Sequence, residues 1–338
     1  MFVSLLKRTR VVVPYVVVPL FFCFLYGLAV TITLGEYDVR RIIPNVSSSL
    51  FGIILIIFGY NLKVSEERLR GIIEKWRSRI VLSFLLGFSL MYLLIFFFGY
   101  SFYPSFVAFI LVIPLISYYL DKKYHKAAAI FCLILLSGKR GPLIAVVLAF
   151  SLHYIFLNLN YPVKLLRIFF FSLIMIIGSS LIIVNTDIPT FKKFHDIEVS
   201  DVNFLSKVTA GRDMEILDSI DKVSGDNNQL TGSGFSFKYE LYDRIANVTE
   251  GRGYVHFSPF NYFLYFGVFF GVIYIISIYL YPLFFLSKSY VFGYSDSFFL
   301  LLFLCHLFNS LFSYTISQEA FFWISLGILC QKKMVEYK

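Results

Sequence analysis

The feature that most constrains this chain is a series of apolar runs, each close to the length of a membrane span. About ten of them follow one another through the 338 residues. A transmembrane helix needs roughly 20 apolar residues, and several of these runs are shorter, so some helices would be broken or half-buried. The runs are 11–34, 48–62, 80–98, 104–120, 127–138, 142–157, 165–184, 258–286, 297–314 and 318–331.

Composition places the chain among membrane proteins. It is 58% hydrophobic with a mean hydropathy of +0.76, whereas soluble domains are about 45–50% apolar. Its formal net charge is +9, which in a soluble protein would suggest nucleic-acid binding. In a membrane protein, basic loops bind anionic lipid instead. We therefore predict an all-α, polytopic transmembrane bundle of about ten spans that contacts membrane lipid and no nucleic acid.

The four cysteines indicate neither a disulfide framework nor a metal site. Each lies inside an apolar run, without CxxC spacing or a nearby histidine. We interpret them as packing residues in the core. The outer loops carry no convincing paired-carboxylate motif, and the chain has no Walker motif, so we expect no metal and no cofactor. The residues are Cys23, Cys132, Cys305 and Cys330.

One long polar segment, 185–257, interrupts the apolar runs. It divides the chain into N-terminal spans over 1–184, an extramembrane loop over 185–257 and C-terminal spans over 258–338. We expect the loop to form a small helical cap, because structureless loops of this length are uncommon.

Two helices are predicted within this loop. The first would begin at Thr209 or Gly211 and run through Val223, with apolar residues on one face. The second would be a short helix from Phe237 to Ala246.

Positive charge sets the predicted orientation, because short cytoplasmic loops carry an excess of Lys and Arg. With the N-terminus inside, 18 of the 30 basic residues fall in short cytoplasmic segments. Both termini are then cytoplasmic, and segment 185–257 faces outward. One cytoplasmic segment, SEERLRGIIEKWRSR (65–79), has apolar residues at helical spacing and is interpreted as an amphipathic helix at the membrane interface.

The basic turn SGKRGP (137–142) departs from this charge rule. In the predicted topology it lies outside, where Lys and Arg are disfavoured in short loops. Pro142 suits the first turn of a helix, which places Lys139 and Arg140 at a helix N-terminus, where backbone N–H groups attract anions. We interpret the pair as an anion site. The alternative is a pair of long side chains that reach outer lipid headgroups.

Arg212 is a second candidate for binding phosphate. It follows Gly211 at a predicted helix start and could present its planar guanidinium to an anion. The alternative is an ordinary surface arginine that pairs with Asp213 or Glu215.

Gly232 and Gly234 flank Ser233 in a predicted turn. Glycine allows a backbone to approach a ligand closely, so we interpret both as substrate-binding positions. No strand is predicted before them, which argues against a dinucleotide site.

His256 lies where the polar segment meets the next apolar run. Its imidazole could act as a general base or hydrogen-bond donor to a lipid-linked substrate. Arg252 and Asn261 lie close in sequence and are interpreted as substrate-binding residues. A helix-capping or interfacial histidine is the alternative.

Taken together, these features resemble the O-antigen ligase and polymerase superfamily of bacterial envelope enzymes. Those proteins have cytoplasmic termini and one large periplasmic loop in the C-terminal half. The order of motifs is similar here, although Ile216 stands where the family's Arg-x-x-x-Leu pattern has Leu. The matching positions are Ser137-Gly138-Lys139-Arg140-Gly141, Gly211-Arg212, Gly232 with Gly234, and His256 with Gly267.

The resemblance implies a repeat-unit polymerase for O-antigen or capsular polysaccharide in the bacterial inner membrane. Such an enzyme transfers an undecaprenyl-diphosphate-linked oligosaccharide without a metal or a nucleotide sugar. In that picture Arg140 and Arg212 hold the diphosphate, and His256 positions or deprotonates the acceptor hydroxyl. A chain-length regulator and a flippase are the implied protein partners.

Three other functions stay open at this point. An O-antigen ligase would use the same chemistry but transfer the glycan to the lipid A core. A flippase or transporter for lipid-linked glycans would not need the large outer loop and often shows internal repeats, and no convincing repeat is visible here. A structural partner of an envelope assembly would tolerate substitution of Arg140 and His256.

Overall fold

The computed structural model describes residues 11–34, 38–63, 65–98, 108–137, 140–158, 174, 178, 212–243, 248–282, 293–312 and 319–331. The helices in chain order are α1 (Val17–Leu34), α2 (Val39–Asn61), α3 (Glu66–Phe98), α4 (Val112–Leu120), α5 (Tyr124–Leu136), α6 (Arg140–Leu157), α7 (Arg212–Gly225), α8 (Ser258–Ile275), α9 (Tyr294–Ser310) and α10 (Ala320–Gln331). Two short 3₁₀ segments (Ala108–Leu111 and Gly234–Ser236) precede α4 and follow α7, and a π-helical turn (Ile276–Leu280) extends α8. Strands β1 (Tyr239–Asp243) and β2 (Val248–Arg252) form a two-stranded sheet.

Four of these helices are long and apolar enough to cross a membrane. They are α1, α2, α3 and α8 with its π-helical turn. Shorter apolar helices, including α5, α6 and α10, accompany them. The described chain is therefore a predominantly helical membrane protein, which confirms the predicted class. The total of about ten spans stays a prediction, and the apolar run 165–184 lies outside the described residues apart from two isolated positions.

Helix α2 begins nine residues before the apolar run 48–62 that predicted it. Asp38 caps its N-terminus, because Oδ1 accepts a hydrogen bond from the Arg40 backbone amide at 3.2 Å. The same carboxylate binds Arg41 Nε at 2.8 Å through Oδ2. The polar residues before the apolar run thus belong to α2. This helix start places Arg41 beside the hairpin that β1 and β2 form.

Helix α3 is a single helix of 33 residues. The sequence predicted an interfacial helix over 65–79 followed by a separate span over 80–98. At about 1.5 Å per residue the helix is roughly 50 Å long, which exceeds a hydrocarbon core of about 30 Å. The prediction of helix is confirmed over both segments, but the break between them is wrong. Charged residues in the first turns, among them Arg77, bind a carboxylate of the protein itself.

The chain forms two compact units. The first contains described residues within Met1–Lys63, Leu205–Lys288 and Ser310–Lys338, and the second contains those within Val64–Phe204 and Ser289–Asn309. The predicted division into membrane spans over 1–184 and 258–338 and a loop over 185–257 stays a prediction. In the first unit, α7, the hairpin and α8 belong with α1, α2 and α10.

Helices α2 and α10 pack closely in the first unit because glycines stand at their crossing. A Cβ atom on Gly59 would collide with the Ile324 carbonyl oxygen, and one on Gly327 would collide with the Ile56 carbonyl oxygen. Small residues let helix backbones approach each other in a membrane, where dispersion contacts replace the hydrophobic effect between helices. This crossing holds the last described helix against the second one.

A buried ion pair organises the second unit. Asp121 follows α4, its side chain is 2% exposed, and it binds both Arg77 and Arg70, with 2.7 Å to Arg70 Nη2. Arg77 also donates to Ser117 Oγ at 3.1 Å. Burial raises the pKa of Asp121, but the two arginines outweigh that effect and hold the pKa below its ordinary value. These ion pairs attach the charged N-terminal part of α3 to the end of α4.

Within the polar segment, α7 matches the predicted helix through Val223. It begins at Arg212 and carries Asp213 and Glu215 in its first turn, where acidic side chains interact favourably with the helix dipole.

The predicted second helix, from Phe237 to Ala246, is wrong. Residues Tyr239–Asp243 form strand β1 of the antiparallel hairpin instead, with Tyr239 opposite Arg252 in the register, and 244–247 lie outside the described residues. Buried Phe237 and Tyr239 alternate with exposed Lys238. A period of two residues is the signature of a strand, and it prevails here over the helical interpretation.

The cysteines divide between interior and surface. Cys23 and Cys305 are buried, as predicted for packing residues, and Cys330 is half-buried. Cys132 is exposed on α5, so its interpretation as a core residue is wrong.

Candidate functional site

The side chains of His256 and Glu215 meet in the first unit. Nδ1 of His256 lies 2.9 Å from Oε1 and 2.8 Å from Oε2 of Glu215. The His256 backbone amide also donates to Glu215 Oε2 at 3.2 Å. Glu215 is 4% exposed, whereas the His256 side chain is 29% exposed. A buried carboxylate therefore holds an imidazole that reaches the surface.

Three local structures position this pair. Glu215 is in the first turn of α7, one turn after Arg212. The chain leaves β2 at Arg252 and reaches His256 before α8 begins at Ser258. In the segment between Arg252 and Ser258, the Gly253 carbonyl oxygen accepts a hydrogen bond from the Tyr265 hydroxyl at 3.0 Å. The segment that carries His256 is thus fixed to α8.

The electrostatics of the pair favour an ionised carboxylate. Burial raises the pKa of Glu215, but the hydrogen bonds and charge of His256 and the charge of Arg252 outweigh burial and lower the pKa below its ordinary value of 4.5. A carboxylate beside Nδ1 keeps the proton of a neutral imidazole on Nδ1, which leaves Nε2 as the acceptor. Such a His–Glu pair is suited to general-base chemistry.

Arg252 completes the ion pairing of Glu215. Its Nη1 lies 2.7 Å from Glu215 Oε1, and its side chain is partly exposed. The predicted substrate-binding role of Arg252 stays a prediction, but the structure shows that one end of the guanidinium is already bound to the protein. Arg252 and His256 thus share one carboxylate.

Arg212 stands at the start of α7, as predicted, and is half-buried. Burial lowers the pKa of Arg212, and the charge of Glu215 opposes that effect. Its guanidinium makes no hydrogen bond or salt bridge to another residue that the structure describes. The alternative pairing with Asp213 or Glu215 is therefore not seen as a salt bridge, and Arg212 is a cation placed one turn from the His–Glu pair.

Tyr239 supports the pair from the hairpin. Its ring is buried, and its hydroxyl donates to the Tyr254 carbonyl oxygen at 3.1 Å. Burial, followed by the charge of Glu215, raises the pKa of Tyr239. Neither Tyr239 nor a catalytic role for Glu215 was predicted from the sequence. The contact between Glu215 and His256 spans 41 positions, so no local pattern signals it.

Gly232 and Gly234 form the predicted turn, with φ angles of 74° and 66°. Both glycines closely approach the chain's own backbone. A Cβ atom on Gly232 would collide with the backbone nitrogen of Gly267, and one on Gly234 would lie 2.8 Å from that of Thr31. These contacts give the turn a structural role, and its predicted role in substrate binding stays a prediction.

The glycine turn supplies hydrogen-bond partners at a break in α8. Gly267 has φ 70° and ψ −178°, which interrupts the helix in its middle. The Ser233 amide donates to the Leu264 carbonyl oxygen at 2.8 Å, and the Val268 amide donates to the Gln229 carbonyl oxygen at 3.2 Å. Backbone groups released within a membrane helix must find partners inside the protein. The glycine turn supplies them.

Asn261 is also a structural residue. It is 6% exposed, its Oδ1 accepts from the Val255 amide at 2.7 Å, and its Nδ2 donates to the Val255 carbonyl oxygen at 2.7 Å. Both ends of the amide thus hold the residue before His256, and the predicted substrate contact stays a prediction.

The structure does not test the predicted roles of Lys139 and Arg140. Arg140 is the first residue of α6, which confirms the predicted helix start, and α6 belongs to the second unit. The Arg140 side chain and all of Lys139 lie outside the described residues. Their roles in binding a diphosphate stay predictions.

No family model, curated protein or solved structure matches this chain. Within the residues that the structure describes, no group of three or more His, Cys, Asp or Glu side chains is placed to hold a metal ion.

Proposed function

We propose that this protein transfers glycans from a lipid-linked diphosphate donor to an acceptor hydroxyl, as a repeat-unit polymerase. The observation that carries the proposal is the pairing of His256 with the buried carboxylate of Glu215, one turn from the cationic Arg212. A base and a cation are the two groups that such a transfer requires. The resemblance to the O-antigen ligase and polymerase superfamily names the same Arg and His positions.

The chemistry follows from these groups. The acceptor oxygen forms a bond to the anomeric carbon of the donor glycan while the bond from that carbon to the diphosphate oxygen breaks. The hydroxyl proton passes to Nε2 of His256, and Glu215 stabilises the imidazolium that forms. The diphosphate leaves with the bonding electron pair. Arg212 stabilises the developing negative charge, as Arg groups do in phosphate sites.

The location of the reaction is part of the proposal. The distribution of basic residues favours cytoplasmic termini and an outward-facing hairpin, and the proposed membrane is a bacterial inner membrane. Polymerase and ligase share the chemistry and differ in the acceptor, which is a second lipid-linked repeat unit or the lipid A core. We favour the polymerase because such chains are divergent, short and rich in Phe, and this chain has 41 Phe among 338 residues.

Deletion of the gene in its host tests the proposal. A polymerase mutant should retain single repeat units on the surface glycolipid, seen as one band on a gel, whereas a ligase mutant should lose even these. Complementation with wild type should restore long chains, and complementation with His256→Gln should not. Unchanged chain length in the deletion strain would refute the polymerase function.

A further inference from the structure

The end of β2 has charged side chains on both of its faces. One face lies toward Glu215, and the opposite face has a second group of charged residues. Alternate residues of a strand point to opposite sides, and the sequence here is Gly251-Arg252-Gly253. Arg252 points to Glu215. The two glycines leave space on the other side, and this space is occupied by the side chains of Arg41 and Lys238.

The glycines are required for this arrangement. A Cβ atom on Gly251 would lie 2.6 Å from Lys238 Cε, 3.3 Å from Arg41 Nη2 and 3.4 Å from Lys238 Nζ. A Cβ atom on Gly253 would lie 3.1 Å from Arg41 Nη1. The two cationic groups therefore lie beside the same point of the strand, close enough for one phosphate group to contact both.

Arg41 is held in place from two directions. Its Nε binds Asp38 Oδ2 at 2.8 Å, and its Nη2 donates to the Gly251 carbonyl oxygen at 2.9 Å. The remaining nitrogen, Nη1, is buried and has no hydrogen-bond partner among the described residues. Buried donors in folded proteins nearly always have a partner, so the unpaired nitrogen needs a further acceptor.

The acidic groups nearby leave Lys238 without a partner in the described structure. Asp38 binds Arg41 and caps α2. Glu240 lies two residues from Lys238 on the same face of β1, and it forms no salt bridge with Lys238 or Arg41 in the part of the chain that the structure describes. An ordered guanidinium beside an exposed ammonium is an arrangement that binds phosphate oxygens.

We infer that Arg41 and Lys238 bind a phosphate group of a lipid, on the side of β2 opposite His256. In the predicted topology Arg41 also lies in a short outer segment, where basic residues are disfavoured unless they have a role. Two lipids carry the required group: the diphosphate donor and an anionic phospholipid. The identification of the ligand as the donor rests on the proposed function, whereas the recognition of phosphate does not.

The test measures lipid binding to the full-length protein in phosphatidylcholine nanodiscs by native mass spectrometry. One arm adds undecaprenyl diphosphate, and the other replaces part of the phosphatidylcholine with phosphatidylglycerol. The variants are Arg41→Gln and Lys238→Gln, and the matched control is Arg40→Gln. Arg40 is adjacent, exposed and carries the same charge. Lys238 is exposed and makes no hydrogen bond in the described structure, so its variant tests the site without loss of a structural contact.

We expect Arg41→Gln to weaken undecaprenyl diphosphate binding about tenfold, the value of one charge-assisted hydrogen bond. Lys238→Gln should weaken it severalfold, Arg40→Gln should change it less than twofold, and Glu240→Gln should strengthen it. A loss confined to the phosphatidylglycerol arm would identify a headgroup site and overturn the donor as ligand. Wild-type binding by both Arg41→Gln and Lys238→Gln in both arms would overturn the phosphate site itself. Because no transfer is measured, a failed polymerase assay would not affect this result.

Discussion

Glu215 binds His256 at two points, the backbone amide and the Nδ1 atom of the ring. One buried carboxylate thereby sets both the position of the residue and the orientation of its imidazole. Asn261 holds the preceding residue, Val255, through both of its backbone groups. The imidazole is therefore held in one orientation by the protein itself, and in the proposed reaction this would reduce the reorganisation that proton transfer requires.

Replacement of Glu215 by Gln should impair glycan transfer while the protein still folds. The amide keeps the size and one acceptor of the carboxylate but loses the negative charge that stabilises the imidazolium. We expect a fall in kcat of about 10²-fold or more with little change in KM. The measurement is elongation of a lipid-linked repeat unit by the purified protein in proteoliposomes.

Asp221→Asn is the matched control for this variant, because Asp221 is an exposed carboxylate on the same helix. It should transfer glycan at the wild-type rate. Equal activity of Glu215→Gln and Asp221→Asn would show that Glu215 does not assist His256.

Acid should weaken the structure through Glu215. Its pKa is lower in the folded protein than the ordinary value of 4.5, so its stabilisation is fully present at neutral pH and is lost as the pH falls through the lower folded value. The difference in Tm between wild type and Glu215→Gln should therefore shrink as the pH is lowered from about 7 to below about 4. Thermal unfolding in detergent measures it. A Tm difference that stays constant or grows on acidification would contradict the lowered pKa.

The sequence predicted the parts of this site that depend on local pattern. Arg212 was expected at a helix start because it follows Gly211 and precedes residues with apolar spacing on one face, and the structure confirms that helix. The pairing of Glu215 with His256 could not be predicted, since it depends on how the hairpin returns to α7. The hairpin itself was missed because the apolar spacing around Tyr239 fits both periodicities, and cross-strand pairing decides between them.

The sequence also carries a signal for Arg41. The charge rule that drew attention to Lys139 and Arg140 applies equally to Arg40 and Arg41, which lie in another short outer segment of the predicted topology. What the sequence could not show is that α2 begins at Val39 and carries Arg41 to the glycines of β2.

The break in α8 provides a test of the glycine turn. Gly267→Ala places a Cβ atom at a φ of 70° and against the Leu230 carbonyl oxygen. The backbone conformation, φ 70° and ψ −178°, is adopted almost only by glycine and costs other residues about 1–3 kcal/mol, and the collision adds to it. We expect a fall in Tm of several degrees and lower yield of folded protein. Gly71→Ala on α3 has open space around it, so it should be neutral or slightly stabilising. Equal stability of the two variants would contradict the observed break.

The buried ion pair of the second unit should contribute more to stability than an exposed ion pair at the end of α7. Asp121→Asn removes the buried partner of Arg77, whose side chain is 10% exposed and which keeps, among the described residues, only a 3.6 Å salt bridge to the exposed Glu74. Breaking a buried pair costs about 3–5 kcal/mol. Asp226→Asn instead breaks a pair with Lys222 in which the two side chains are 38% and 44% exposed, and such pairs contribute about 0–1 kcal/mol. Chemical unfolding in detergent should therefore separate the two variants by at least 2 kcal/mol. High salt should leave the Asp121 variant's deficit nearly unchanged, because ions do not reach a buried pair. If Asp121→Asn were no less stable than Asp226→Asn, the attachment of α3 to α4 would not depend on this ion pair, and the charged start of α3 would need another anchor.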